Sequence, residues 1–138
     1  MMISYNYNYP LSLANEEQIS GWIKEVIALE GHELGELNYT FVSDDELYRM
    51  NVEYLNHDTL TDIISFDYTV GKVLQGDVFI SVERVKDNAA DFNVDFESEL
   101  FRVIIHGVLH YCGYKDKTPQ EKELMRSRED LYLSFLSK

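Results

Sequence analysis

Residues 100–109, LFRVIIHGVL, would show apolar side chains on nearly every side of a helix, and such a helix must be enclosed by other elements. The rest of the chain is therefore expected to wrap a central helix. Most of the interruptions in that run are chemical: Arg102 and His106 lie inside it, and His110 follows at its end.

The flanking patterns supply the cover. Tyr5, Tyr7 and Tyr9 alternate with asparagines until Pro10, which predicts an edge strand. Asn15 can cap a helix with Ile19, Trp22, Ile23, Val26 and Ile27 on one face, ended by Gly31. LNYTFV, residues 37–42, predicts a strand, and Ser43 or Asp44 caps a helix with Leu47, Met50 and Tyr54 inward, stopping near Asn56. NHDTLTD, residues 56–62, reads as a polar turn. IISFDYTV and GDVFIS, separated by Gly71 and Lys72, should pair as a hairpin. Ser81 caps a short helix through Val82, Val85 and Ala89, which DFNVD closes before the central helix opens near Asp95. Thr118, Pro119 and Glu121 form a capping box for a last helix with Leu124, Leu131 and Phe135 inward. The order βαβαββααα predicts an α+β fold: a mixed sheet of about four strands under about five helices, as one domain over residues 1–138.

Charge and cysteine usage narrow the surroundings. A net charge of −13 argues against broad attraction to nucleic acid or anionic membranes. Residues 115–128 depart from it: Lys115, Lys117, Lys122, Arg126 and Arg128 outnumber Asp116, Glu121 and Glu123, leaving +2 there and −15 elsewhere. No apolar run is long enough to cross a bilayer, MMISYNYNYP lacks the pattern of a secretory leader, and Cys112 has no partner cysteine. A cytoplasmic setting is expected.

His106 and His110, four residues apart, share one helix face and can offer nitrogens to one ion. Gly113 can take the left-handed conformation that reverses the chain and returns Asp116 to the same ion. Two imidazoles and one carboxylate leave an open position on a divalent cation, the arrangement of a catalytic rather than a closed site. The spacing is that of the zincin pattern HExxHxxGxxH, with Gly107 in place of glutamate and Asp116 in place of the third histidine. Without that glutamate a peptidase lacks its general base, so peptide hydrolysis is disfavoured.

HGVLHYCGYKD, residues 106–116, closely resembles the HGxLHxxGYDH signature of the YbeY family of metal-dependent endoribonucleases, also called rRNA maturation factors. MNVEYLNHDTLTDIISF, residues 50–66, is similar without a gap to that family's LNxxYRxxDxPTDVLSF, and LQGDVFIS to its LGDIxIS strand. The resemblance implies a zincin-like α+β fold with one zinc ion on the central helix, held by His106, His110 and Asp116. It also implies cleavage of single-stranded rRNA, with roles in ribosome quality control and small-subunit rRNA maturation. The small ribosomal subunit and assembly proteins are the implied partners. Alternatives are a metal-stabilised assembly factor without catalysis, a metallopeptidase-like hydrolase, and a non-haem Fe(II) oxygenase.

The chain departs from the family pattern at Asp116, at Leu60 in place of proline, and at Leu55 in place of an arginine associated with the phosphodiester. Arg102, one turn before His106, is a candidate to supply that cation, with Glu99 three residues further back. The resemblance puts Thr61, Asp62 and Ser65 along the wall of the cleft, with Asp62 as a candidate to orient water or a metal ligand. Lys115 and Lys117, flanking Asp116, are candidates to hold phosphate. His57 is expected at the surface, His32 at a helix C-terminus, and Cys112 as a small hydrophobe turned from the ion.

Overall fold

The alternating tyrosines form strand β1 (Met2–Tyr7), which lies at the edge of the sheet as expected. The computed structural model describes residues 2–55 and 61–137. After β1 come α1 (Glu16–Leu29), β2 (Glu33–Val42), α2 (Asp44–Leu55), β3 (Ile63–Asp67), β4 (Val73–Ser81), α3 (Val82–Asp91), α4 (Phe96–Tyr111) and α5 (Pro119–Ser134), with a 3₁₀ turn at Phe135–Ser137. This is the α+β order read from the sequence. The helix end near Asn56, the first five residues of the polar turn, His57 and Leu60 lie outside the described residues.

The four strands run in the order β1-β2-β4-β3, with β1, β2 and β4 parallel and β3 antiparallel to β4. The β3–β4 hairpin is the expected one, and Gly71 turns it at φ +59° beside the bridged pair Val70 and Val73. One sheet face carries Leu37, Tyr39 and Phe41 of β2 with Leu74, Val78 and Ile80 of β4. Trp22, Ile23 and Val26 of α1 and Leu100, Ile104 and Val108 of α4 join them in one core. The opposite face carries a smaller cluster of Val42, Leu47 and Ile64, flanked by Met50, Phe66 and Phe79. Thus α4 is enclosed as its composition demands.

Three expectations shift. β2 starts at Glu33 rather than Leu37, because the register jumps between Leu34 and Leu37 and hides the alternation. In α2 the inward positions after Leu47 are the partly buried Met50 and the buried Asn51, while Tyr54 is exposed. In α5 Leu124 and Leu131 are exposed, and Met125, Glu129 and Tyr132 turn inward instead. Polar partners fix that phase: the Tyr132 carbonyl accepts from Trp22 Nε1 at 2.8 Å, its hydroxyl donates to Glu30, and Glu129 meets two residues of α4. Phe135 is partly buried, edge-on to Tyr132.

Gly76 marks where α4 is tied to the sheet. Tyr111 donates to the Phe66 carbonyl at 3.1 Å, and a Cβ on Gly76 would overlap both the Tyr111 hydroxyl and that carbonyl. Gly76→Ala is therefore expected to destabilise the fold by about 1–3 kcal/mol, read from the urea midpoint. An unchanged midpoint would contradict this packing.

Candidate metal centre

The C-terminus of α4 reverses through a Schellman motif: Gly113 N–H donates to the His110 carbonyl and Tyr114 N–H to that of Leu109, both at 3.0 Å, with Gly113 at φ +103°. Two residues after Asp116 the expected capping box starts α5, Glu121 N–H donating to Thr118 Oγ1 at 3.1 Å and Thr118 N–H to Glu121 Oε1 at 2.9 Å. A helix stop and a helix start thus hold Asp116 between them, against α4.

The three expected ligands converge. His106 Nε2 lies 3.0 Å from His110 Nε2 and 3.1 Å from Asp116 Oδ2, and His110 Nε2 lies 3.3 Å from the same oxygen. Ligand atoms around a tetrahedral zinc ion, each about 2.0–2.1 Å from it, stand about 3.3 Å apart. Proton placement agrees with that spacing. His106 Nδ1 donates to Glu129 Oε2 at 2.6 Å, so a neutral ring directs its Nε2 lone pair toward the other two donors. Residues, spacing and lone pairs all fit one divalent cation, and no other group of three or more His, Cys, Asp or Glu side chains among the described residues converges in this way.

Glu129 is the residue that the sequence reading missed. It is 4% exposed and bonds His106 through one oxygen and Arg102 Nη1, at 2.8 Å, through the other. Arg102 also meets Asp130 at 2.6 Å, so both ends of its guanidinium are engaged. Burial alone would lower the His106 pKa; the hydrogen bond and charge of Glu129, with the charges of Asp116 and Asp62, outweigh it and raise the pKa. A signal was present: Met125, Glu129 and Tyr132 recur four and three residues apart, a phase that places Glu129 inward.

His106 and Asp116 open onto a cleft of about 380 Å³ that also includes Asp62, Glu99 and Arg102 in its wall. Burial raises the Asp62 pKa, opposed by its own backbone N–H and by His106. Glu99 is 6% exposed, and burial, then the charge of Asp62, raises its pKa. A carboxyl with a raised folded pKa contributes stability below its unfolded pKa and loses it as pH rises through the folded one. Glu99→Gln is therefore expected to raise the thermal midpoint at neutral pH, and the gain should vanish near pH 4. A midpoint raised equally at both would count against a desolvated carboxylate.

Lys115 and Lys117 are exposed and do not line this cleft among the described residues; Lys122 and Arg126 of α5 do. Lys115 instead borders a hollow with Glu30, Cys112 and Leu124. Burial, with Glu30 nearby, pushes the Cys112 thiol to about 12, as suits an unreactive small side chain. His32 follows α1, with Nδ1 3.0 Å from the Glu30 carbonyl, near the helix end where it was expected. Leu55 ends α2, is exposed, and is not among the described residues that line the cleft. Gly107 is buried where a Cβ would come within 3.0 Å of Ile63 Cδ1, so a glutamate here would have to enter the packed contact between α4 and β3.

Similarity to known proteins follows the same outline. The sequence profile described as Endoribonuclease YbeY matches residues 5–137. The Endoribonuclease YbeY of Flavobacterium johnsoniae is 61% identical over 129 residues, spanning 94% of this chain and 93% of the relative. That of Flavobacterium psychrophilum is 54% identical over 129 residues, spanning 94% and 92%. The solution structure of TM1509 from Thermotoga maritima superposes with a TM-score of 0.70 at 27% identity, covering 96% of this chain and 87% of that one.

Proposed function

The chain belongs to the endoribonuclease YbeY family, and from that premise we propose that it cuts single-stranded RNA in the cleft beside His106, His110 and Asp116, using one zinc ion held by those three residues. The observation that carries this reading is the donor triangle, with edges of 3.0, 3.1 and 3.3 Å, opening onto a cleft within the usual size range of small-ligand sites, about 300–1,000 Å³.

When bound, the ion supplies Lewis acidity to a phosphodiester. The chain's own residues do the rest. Glu129 holds the Nδ1 proton of His106 and so keeps Nε2 free as a donor atom. Arg102 fixes Glu129 from its other side, which makes it a positioning residue while those two ion pairs last. Asp62 in the cleft wall supplies a carboxyl to orient the attacking hydroxyl or water or a metal ligand. Ile63, Val103 and Met125 give the cleft apolar walls. The role assigned to Lys115 and Lys117 is to draw the strand toward the cleft from outside it.

The proposed setting is the cytoplasm, with residues 1–138 acting as one domain on rRNA of the small subunit and alongside ribosome assembly proteins. In support, no described helix is long and apolar enough to cross a membrane, and the single Cys112 has no disulfide partner in the chain.

Zinc-loaded protein incubated with single-stranded RNA should cut it, and an Asp116→Ala control should not. Equal cleavage by both would mean that the activity does not arise at this site.

A further inference from the structure

Beside the metal cleft lies a second groove, about 620 Å³, between the α3–α4 connection, the start of α4 and the end of α5. The two share Glu99, Arg102 and Arg126 in their linings, so the grooves adjoin. One wall is aromatic and apolar. Phe92 is 62% and Val94 45% exposed, although the chain around them is fixed. Asn93 takes φ +57°, its N–H donates to the Ala90 carbonyl at 3.2 Å, and Val94 N–H donates to that of Ala89 at 3.0 Å. This Schellman closure of α3 presents both side chains outward as a property of the fold.

The junction between the grooves carries two polar groups of opposite kind. Glu99 is 6% exposed and its carboxylate makes no hydrogen bond or ion pair among the described residues, while the charges of Arg102 and Arg126 act on it. Arg126 is exposed and makes no ion pair among them either. The Glu99 oxygens are not among the buried side-chain atoms left without a partner, so they face the open groove and can accept from the N–H groups of a ligand.

We propose that the second groove is a nucleobase subsite for the strand leaving the metal cleft: Arg126 meets the intervening phosphate, the next base stacks on Phe92, and Glu99 accepts from that base's N–H edge. Guanine is the base that fits. It alone among the four common bases offers two adjacent donors, N1–H and the 2-amino group, to the two oxygens of one carboxylate. This inference rests on the RNA-cleaving reading of the metal cleft.

The test uses the zinc-loaded full chain and hexanucleotides carrying one guanine at each position in turn, compared with inosine, which lacks only the 2-amino group. At one position kcat/KM is expected to be about tenfold higher for guanine, the value of one hydrogen bond to a charged group. Glu99→Gln should abolish that preference. Phe92→Ala should raise KM about tenfold for guanine and inosine alike, with kcat kept. Equal rates for guanine and inosine at every position, or an unchanged KM in Phe92→Ala, overturn the subsite while RNA cleavage itself stands. Absence of cleavage of any hexanucleotide by the wild type overturns both readings together.

Discussion

His110→Ala is expected to lose bound zinc and to lower kcat/KM for RNA by about a thousandfold or more, since an ion's charge stabilisation is worth several kcal/mol in the transition state. His110 Nε2 forms two of the three edges of the donor triangle, at 3.0 Å to His106 and 3.3 Å to Asp116. Without it, one imidazole and one carboxylate remain, too few to hold zinc against water. The loss should be chemical rather than structural. His110 is partly exposed in the last turn of α4, and alanine is the better helix former there. Far-UV circular dichroism should therefore match the wild type. Retention of stoichiometric zinc, or cleavage within tenfold of the wild type, would contradict the assigned ligands.

Glu129→Ala is expected to act on both stability and metal affinity. It removes the acceptor of His106 Nδ1 at 2.6 Å and of Arg102 Nη1 at 2.8 Å, leaving Arg102 with Asp130 alone. Breaking a buried pair costs about 3–5 kcal/mol; because the Arg102 side chain is 21% exposed, about 2–3 kcal/mol is expected. Freed of its partner, the His106 ring can rotate, and zinc affinity should fall about 10–100-fold. Glu129→Gln, which keeps an acceptor oxygen and the volume, should fall between the two. In metal-stripped protein the cost also depends on pH. Glu129 raises the His106 pKa, so that part of its stabilisation is present below about pH 6.5 and is lost as pH rises through the raised value. The midpoint difference between wild type and Glu129→Ala should thus be larger near pH 5.5 than near pH 8. Unaltered stability and unaltered zinc affinity together would remove Glu129 from the site.

What could be read from the sequence was what local geometry dictates. The histidine pair follows from helical spacing, the reversal from Gly113, the start of α5 from Thr118 and Glu121, and the enclosure of α4 from its apolar run. The shift in α5 has a tertiary cause. The phase of α5 was assigned from Leu124 and Leu131, but it is set by contacts of Glu129 with residues 23 and 27 positions away. The spacing of Met125, Glu129 and Tyr132 offers the observed phase beside that of Leu124 and Leu131, and only those distant contacts decide between the two. The turn that brings Asp116 inward leaves its neighbours Lys115 and Lys117 exposed, outside the cleft lining, while Lys122 and Arg126 of the next helix line it. The start of β2 was hidden by a register shift that interrupts the alternation by which strands are recognised.

Stepwise addition of zinc to chelator-stripped protein, with the rate of single-stranded RNA cleavage followed at each step, bears most directly on the proposed site. The rate should rise from near zero and level off at one ion per chain. Full cleavage before any zinc is added, or none at any ratio, would contradict a catalytic metal held by His106, His110 and Asp116.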